Sequence, residues 1–340
     1  MEIYILPIII AAILTFIMTP MAEKLARKVG AMDVPKDDRR VHTSPIPRMG
    51  GLAIYLAFVA TLVIFAGMDD MTMGIIIGST MIVGVGIVDD IRGVSAKVKL
   101  LVQILAALVL VHFGVKIDFF TNFFESEGLI YLGNLSIPIT VFWVVGITNT
   151  FNLIDGLDGL AAGISTISAT TLSYIAFVNG RYEMALVTLI LAGCCVGFLP
   201  FNFNPARIFM GDTGSLFLGF VLSAISIQGT IKGATALTMV LPILAMGLPI
   251  MDTTLAILRR IIGGRSIMEA DKGHLHHKLL SAGLCQKRAV LLMYGISLML
   301  GISAVLLMNS EYISGFAIIA ATLVIAMIPV MMEQARAGKK

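Results

Sequence analysis

Ile3-Tyr-Ile-Leu-Pro-Ile-Ile-Ile-Ala-Ala-Ile-Leu-Thr-Phe-Ile-Met-Thr-Pro-Met-Ala22 contains no charged residue, and Glu23, Lys24, Arg27 and Lys28 follow it at once. An α-helix rises about 1.5 Å per residue, so about 20 apolar residues cross a hydrocarbon core about 30 Å thick. A cleaved signal carries its basic residues ahead of the apolar run, whereas here they come after it. The segment therefore reads as a retained helix with its N-terminus outside and its basic flank in the cytoplasm.

The pattern recurs along the chain. Eleven candidate spans are expected, near 3–22, 50–67, 73–88, 99–113, 137–151, 160–178, 184–201, 213–229, 235–258, 289–308 and 313–332. With the N-terminus outside, this count puts the C-terminus in the cytoplasm. It also places every one of the 24 Lys and Arg on the inner side except Lys116, Arg181 and Lys232, the asymmetry that orients membrane helices. Composition agrees. The chain is 58% hydrophobic, and its 33 glycines raise the apolar share to about 68%, against about 45–50% in soluble domains. Charged residues are 13% and mean hydropathy is +0.95. A soluble globule lacks the polar residues to cover such an interior, and a disordered chain is excluded for the same reason. The expectation is an all-α polytopic membrane protein of about eleven helices. Short loops leave residues 1–340 as one transmembrane domain. The net charge of +3 gives no reason to expect a nucleic-acid partner. Cys194, Cys195 and Cys285 form no disulfide framework or CxxC metal pair. The outer loop near 114–137, with Phe119, Phe120, Phe123, Phe124, Ile130 and Tyr131, reads as a short hairpin or an interfacial segment.

The spans carry almost no ionisable groups; His112 lies near an outer end and Asp252 near an inner one. Transporters place such groups at the midplane. Here the polar motifs gather at the cytoplasmic helix ends, as an enzyme working at the membrane surface requires. Asp89-Asp90 closes the third span, where two adjacent carboxylates either bind a cation or begin a solvated loop. Asn149, Asn152, Asp155 and Asp158 recur every third residue. On a straight helix they would sweep half its circumference, but Gly156 and Gly159 predict that the helix ends and lets them converge. Asn202-Phe-Asn204-Pro-Ala-Arg207 leads into Phe209-Met-Gly-Asp-Thr-Gly-Ser215. Asp212 there is either an N-cap or a Mg²⁺ ligand beside free helix N–H groups that suit a phosphate. His274, His276 and His277 cluster in a basic segment with Arg259, Arg260 and Arg265. Phosphate contact, zinc binding and a plain surface cluster are all open to the histidines. Pro47-Arg48-Met-Gly-Gly51 stiffens the approach to the second span and lets backbones pack closely.

Together these residues resemble the polyprenyl-phosphate N-acetylhexosamine-1-phosphate transferases, in the family's order, on its membrane side and over nearly the whole chain. The family's muramyl-pentapeptide branch usually carries a Pro-x-His-His-His-Phe-Glu type sequence at the last motif. Gly273-His-Leu-His-His-Lys278 is instead similar to the branch that starts O-antigen, common-antigen and teichoic-acid linkage units from UDP-N-acetylglucosamine (UDP-GlcNAc). The resemblance implies a bacterial cytoplasmic-membrane enzyme with its site on the cytoplasmic face. Its reaction would join UDP-GlcNAc and undecaprenyl phosphate into undecaprenyl-diphospho-GlcNAc and UMP, with Mg²⁺ (or Mn²⁺) as cofactor; a homodimer is compatible with it. By the same resemblance, Asp89 orients or deprotonates the lipid phosphate with Asp90 beside it. Asp212 is the principal Mg²⁺ ligand, with Asp155 as a second. Asn149, Asn152, Asp155 and Asp158 hold nucleotide and diphosphate. Arg48, Arg265, His274, His276, His277 and Asp252 complete the substrate contacts. Direct attack and a covalent aspartyl intermediate both remain open. A CDP-alcohol phosphotransferase is disfavoured because Asp158-Gly-Leu-Ala-Ala-Gly163 lacks that family's Arg. An aromatic prenyltransferase is disfavoured because Asp89-Asp90 is too compact, and a transporter because the midplane is empty of charge.

Reporter fusions test the orientation. A fusion after Lys340 is expected to read cytoplasm and one within 309–312 to read exterior; the reverse pair would overturn the topology.

Overall fold

The computed structural model describes residues 2–34, 45–121, 129–229, 239–266 and 273–337. The basic residues Lys36, Arg39, Arg40, Lys232, Lys272, Lys339 and Lys340 lie outside them, as do Phe123, Phe124 and the beginning of the 235–258 span. The helices are α1 (Glu2–Val29), α2 (Gly51–Phe65), α3 (Asp70–Arg92), α4 (Ala96–His112), α5 (Ser136–Ile154), α6 (Leu160–Val178), α7 (Tyr182–Asn202), α8 (Gly211–Gly229), α9 (Val240–Ala245), α10 (Gly247–Ile262), α11 (Leu275–Ser281), α12 (Gln286–Met308) and α13 (Tyr312–Ala337). Two antiparallel pairs accompany them: β1 (Met32–Asp33) with β2 (Ile46–Pro47), and β3 (Phe119–Thr121) with β4 (Leu129–Tyr131). The second bears out the hairpin, rather than the interfacial segment, of the two readings for the loop near 114–137.

Each expected span coincides with one helix except 235–258, which is broken at Met246 into α9 and α10. Pro249 is the cause: it cannot donate the N–H that would bond the carbonyl of Ala245, four residues back. The sequence pattern also missed α11, a short helix inside the basic segment. By length and composition six helices, α1, α3, α5, α6, α7 and α12, can cross a membrane among the described residues.

The architecture is a bundle around α8. Every side chain from Thr213 to Ile227 is buried, with α2, α3, α5, α6 and α7 packed around the helix. A helix with no lipid-facing side has no need of high hydropathy, which accounts for its serines and glycines. Small residues allow the close approach. A Cβ on Gly86 of α3 would stand 2.5 Å from Thr213 Cα, and one on Gly51 of α2 would strike the backbone of Gly214. On α7, Gly193 and Gly197 do the same for α1, lying against the carbonyls of Ile8 and Ala12. This small-xxx-small pair is spent on packing within the chain.

Two glycines on one helix separate the steric argument from propensity. Gly84 is exposed, and a Cβ there meets nothing within 4 Å. Gly84→Ala is expected to hold or raise the unfolding temperature in detergent, by up to about 1 kcal/mol of helix propensity. Gly86→Ala must push α3 off α8 and is expected to cost about 1–3 kcal/mol. Equal unfolding temperatures for the two variants would contradict this packing.

Candidate active site

The site begins with how α8 starts. The first N–H groups of a helix have no partner within it. Here the carboxylate of Asp90, near the end of α3, supplies one. The main-chain N–H groups of Asp212 and Thr213 donate to Asp90 Oδ1 and Oδ2 at 3.0 and 3.1 Å, and the Thr213 hydroxyl donates to Oδ2 at 2.6 Å. Gly211 enters the helix at φ 71°, and a Cβ there would strike the same carboxylate, so the position demands glycine twice over. This corrects two expectations. The N–H groups of Asp212 and Thr213 are not free for a phosphate, because a fixed carboxylate already occupies them. Asp212 is not the N-cap either, because the cap comes from another helix.

Asp212 is thereby left to face outward. Its Oδ2 accepts from Lys99 Nζ at 2.8 Å and its Oδ1 from Asn152 Nδ2 at 3.1 Å; Asn152 also donates to Ser215 Oγ at 2.9 Å. Lys99 Nζ lies 3.4 Å from Asp89 Oδ1 and so bridges two carboxylates. Asp89 Oδ1 also accepts the N–H of Val94 at 2.8 Å. Arg48 closes the other side. It donates to the main-chain oxygen of Asp89 at 3.1 Å, and its Nε lies 3.4 Å from Asp90 Oδ1. Its loop is held in place by backbone bonds to the approach to α8: Phe209 N–H to Pro47 O, Gly50 N–H to Phe209 O and Gly51 N–H to Met210 O. A cavity of about 200 Å³ opens there, lined by Asp33, Arg48, Asp89 and Asp90 among others.

The Asn149–Gly159 run ends its helix as expected. α5 stops at Ile154, Gly159 takes φ 79°, and α6 begins at Leu160. The four polar residues then diverge in role. Asn149 is turned inward, exchanging hydrogen bonds with the buried Gln103 at 2.6 and 3.3 Å. Asn152 reaches Asp212. Asp158 holds the loop before α8, accepting from Asn204 Nδ2 at 2.9 Å and Ala206 N–H at 3.0 Å. Asp155 is the partly buried member of the run that faces like charges. Burial first, and then the like charges of Asp212, Asp90 and Asp158, push its carboxyl up to about 8.

The histidines arrive from the other side. Asp252 on α10 is buried; it bonds His274 Nδ1 at 2.8 Å and caps α11 by accepting Leu275 N–H at 2.8 Å. His276 is then laid against the α5–α6 loop: a Cβ on Gly156 would be 2.5 Å from its Nε2. Burial, and next His277, push the His276 imidazole down to about 3, so it stands neutral at pH 7. The His276 and His277 rings are 4.2 Å apart. Arg265 is exposed past the end of α10.

The ligand oxygens of Asp89, Asp90 and Asp212 lie within 4.8 Å of one another. Such a hard oxygen donor set suits a divalent cation. Sequence reasoning missed Lys99, reading it only as an inner flank. A signal was present: a lysine in the first turn of α4 opposes the helix dipole and needs another reason to be there. Gln103 was missed because a lone amide in an apolar run carries no motif.

Residues 72–230 match the family described as glycosyl transferase family 4. The chain is 43% identical over 303 residues to a probable undecaprenyl-phosphate N-acetylglucosaminyl 1-phosphate transferase of Bacillus subtilis, covering 89% of this chain and 84% of that protein. It is 39% identical over 313 residues to a decaprenyl-phosphate N-acetylglucosaminephosphotransferase of Mycobacterium leprae (84% and 78%). It is 30% identical over 319 residues to a phospho-N-acetylmuramoyl-pentapeptide-transferase of Staphylococcus aureus (86% and 96%). The chain belongs to this family, the polyprenyl-phosphate N-acetylhexosamine-1-phosphate transferases.

The capping geometry separates Asp90 from its neighbours. Asp90→Ala leaves helix N–H groups unpaired and is expected to lower stability in detergent by about 1–2 kcal/mol. Asp212→Asn leaves every capped N–H in place and loses one acceptor oxygen and a partly exposed ion pair to Lys99, so it is expected to cost less, at most about 1 kcal/mol. A stability loss as large for Asp212→Asn as for Asp90→Ala would contradict the assignment of the cap.

Proposed function

We propose that this chain transfers GlcNAc-1-phosphate from UDP-GlcNAc to undecaprenyl phosphate, giving undecaprenyl-diphospho-GlcNAc and UMP. The reading includes a single eleven-span domain, N-terminus outside, in a bacterial cytoplasmic membrane with the site on the cytoplasmic face. The product would begin a cell-envelope polysaccharide. The carrying observation is that Asp89, Asp90, Lys99, Asn152 and Asp212, from four separate helices, meet in one cluster. They do so in a chain 43% identical to a protein named for that transfer.

In this reading an oxygen of the lipid phosphate attacks the sugar-bearing phosphorus of the donor. A new P–O bond forms, the bond to the UMP phosphate breaks, and UMP carries away the released charge. A phosphate monoester has its second pKa near 6 and is mostly dianionic at neutral pH. Positioning and neutralisation therefore dominate. Asp89 orients the acceptor and takes its proton when one is present. Lys99 and Arg48 offset the phosphate charge, and the histidine segment contacts the diphosphate or sugar. The carboxylates of Asp89, Asp90 and Asp212, within 4.8 Å of one another, fit Mg²⁺ by donor type. Asp155, whose carboxyl is held up by burial and by the like charges of Asp212 and Asp90, would lose its proton to a cation bound beside it. With Mg²⁺ bound there, the metal supplies the electrostatic stabilisation of the diphosphate oxygens.

The test is purified protein with Mg²⁺, undecaprenyl phosphate and a panel of UDP-sugars, followed by extraction of the lipid product. UDP-GlcNAc is expected to give lipid-linked GlcNAc and UMP, and Asp212→Asn to lose at least about two orders of magnitude in rate. Equal or better transfer from UDP-MurNAc-pentapeptide would move the chain to the branch of the Staphylococcus aureus relative.

A further inference from the structure

Pro249 leaves the carbonyl of Ala245 without its helical partner deep in the bundle, where Ala245 and Met246 are fully buried. An unpaired carbonyl there is costly, and the chain does not leave it unpaired. Ser168, fully buried on α6, donates its hydroxyl to Ala245 O at 2.8 Å. The elbow is pinned from a second side as well: a Cβ on Gly247 would stand 2.9 Å from Leu300 Cδ1 of α12. What lies beyond the elbow is the histidine half of the site. α10 carries Asp252, Asp252 holds His274 and caps α11, and α11 lays His276 against Gly156. Gly156 belongs to the loop that leads back into α6, the helix that bears Ser168. The connection is therefore a closed ring through side chains and backbone, and Ser168 is its link to the elbow.

We propose that Ser168 is a positioning residue for the donor half of the site: by bonding the carbonyl freed at the elbow it sets α10, and so places the His274–His277 segment against the 155–159 loop. This rests on the reading that the histidine segment contacts the donor. Ser168 itself touches no substrate. Its loss should weaken donor use and spare the acceptor.

The experiment compares Ser168→Ala, Ser168→Thr and wild type, purified and folded, with KM measured separately for UDP-GlcNAc and for undecaprenyl phosphate. Ser168→Ala is expected to raise the donor KM about tenfold and leave the acceptor KM within about twofold. Ser168→Thr keeps the hydroxyl and is expected to stay near wild type. A second readout needs no activity. His274 and His276 are nearly inaccessible in place, so their modification by diethyl pyrocarbonate, followed by mass spectrometry, should be several-fold faster in Ser168→Ala. If Ser168→Ala yields no folded protein, Ser168→Cys, similar in size and a weaker donor, is judged by the same criteria. Unchanged donor KM with unchanged histidine modification would overturn the proposal, as would a Ser168→Thr defect equal to that of Ser168→Ala. If wild type transfers no sugar but the modification rates behave as expected, the positioning role stands and the functional reading falls.

Discussion

A helix buried from Thr213 to Ile227 cannot use water to satisfy the Thr213 N–H in its first turn, and α8 is such a helix. Asp90 meets that constraint from α3, and much of the site follows from it. With Asp90 committed to the cap, Asp89 points about 100° away around the same helix. It faces Lys99 and the Asp212 side chain rather than the α8 backbone. With the cap supplied from outside, Asp212 need not fold back on its own backbone and presents its carboxylate to Lys99 and Asn152. Two adjacent aspartates thus do different work, one structural and one facing the cluster, although nothing in their chemistry tells them apart.

The cap also explains the glycines that cluster where α2, α3 and α8 meet. A carboxylate on one helix can reach main-chain N–H groups on another only if the two backbones nearly touch. Gly86 against Thr213, Gly51 against Gly214 and Gly211 against Asp90 make that contact sterically feasible. Packing and electrostatics are here the same requirement. Any side chain that separated α3 from α8 would also strand buried N–H groups.

Much of this was legible in the sequence where a signal was local. The apolar runs marked the helices, and Gly156 and Gly159 marked the end of α5. The Gly211–Ser215 motif marked the start of a helix. What could not be read was rotation and pairing. Asn149 and Asn152 are one turn apart in type and spacing, yet one bonds Gln103 below the site and the other reaches Asp212 in it. That difference is helix phase relative to neighbours, which no single-segment pattern contains. The free N-terminus expected for α8 failed for a related reason, because its partner lies 122 residues away in sequence. The broken 235–258 span carries a visible signal in Pro249, but proline alone does not decide a break, since Pro7 and Pro20 lie inside an unbroken α1 and Pro200 inside an unbroken α7.

The two halves of the site are attached in different ways. The carboxylate half is fixed by backbones in contact: α3 against α8, and the Pro47–Gly51 segment paired to Phe209 and Met210. The histidine half adds to the packing of α10 on α5 and α12 a set of single side-chain bonds, Ser168 to the elbow and Asp252 to His274 and α11. Backbone contact at glycine leaves little play, whereas a relay of single hydrogen bonds tolerates small adjustments at each link. A transferase of this family must keep its phosphoryl-handling groups fixed while accommodating one sugar and excluding others. On the proposed reading, placing the carboxylates on the rigid frame and the histidines on the relay assigns phosphoryl handling and sugar selection to the attachments that suit them. It follows that relatives using different N-acetylated sugars should differ more around the elbow, Asp252 and the 273–278 segment than around Asp89, Asp90 and Asp212.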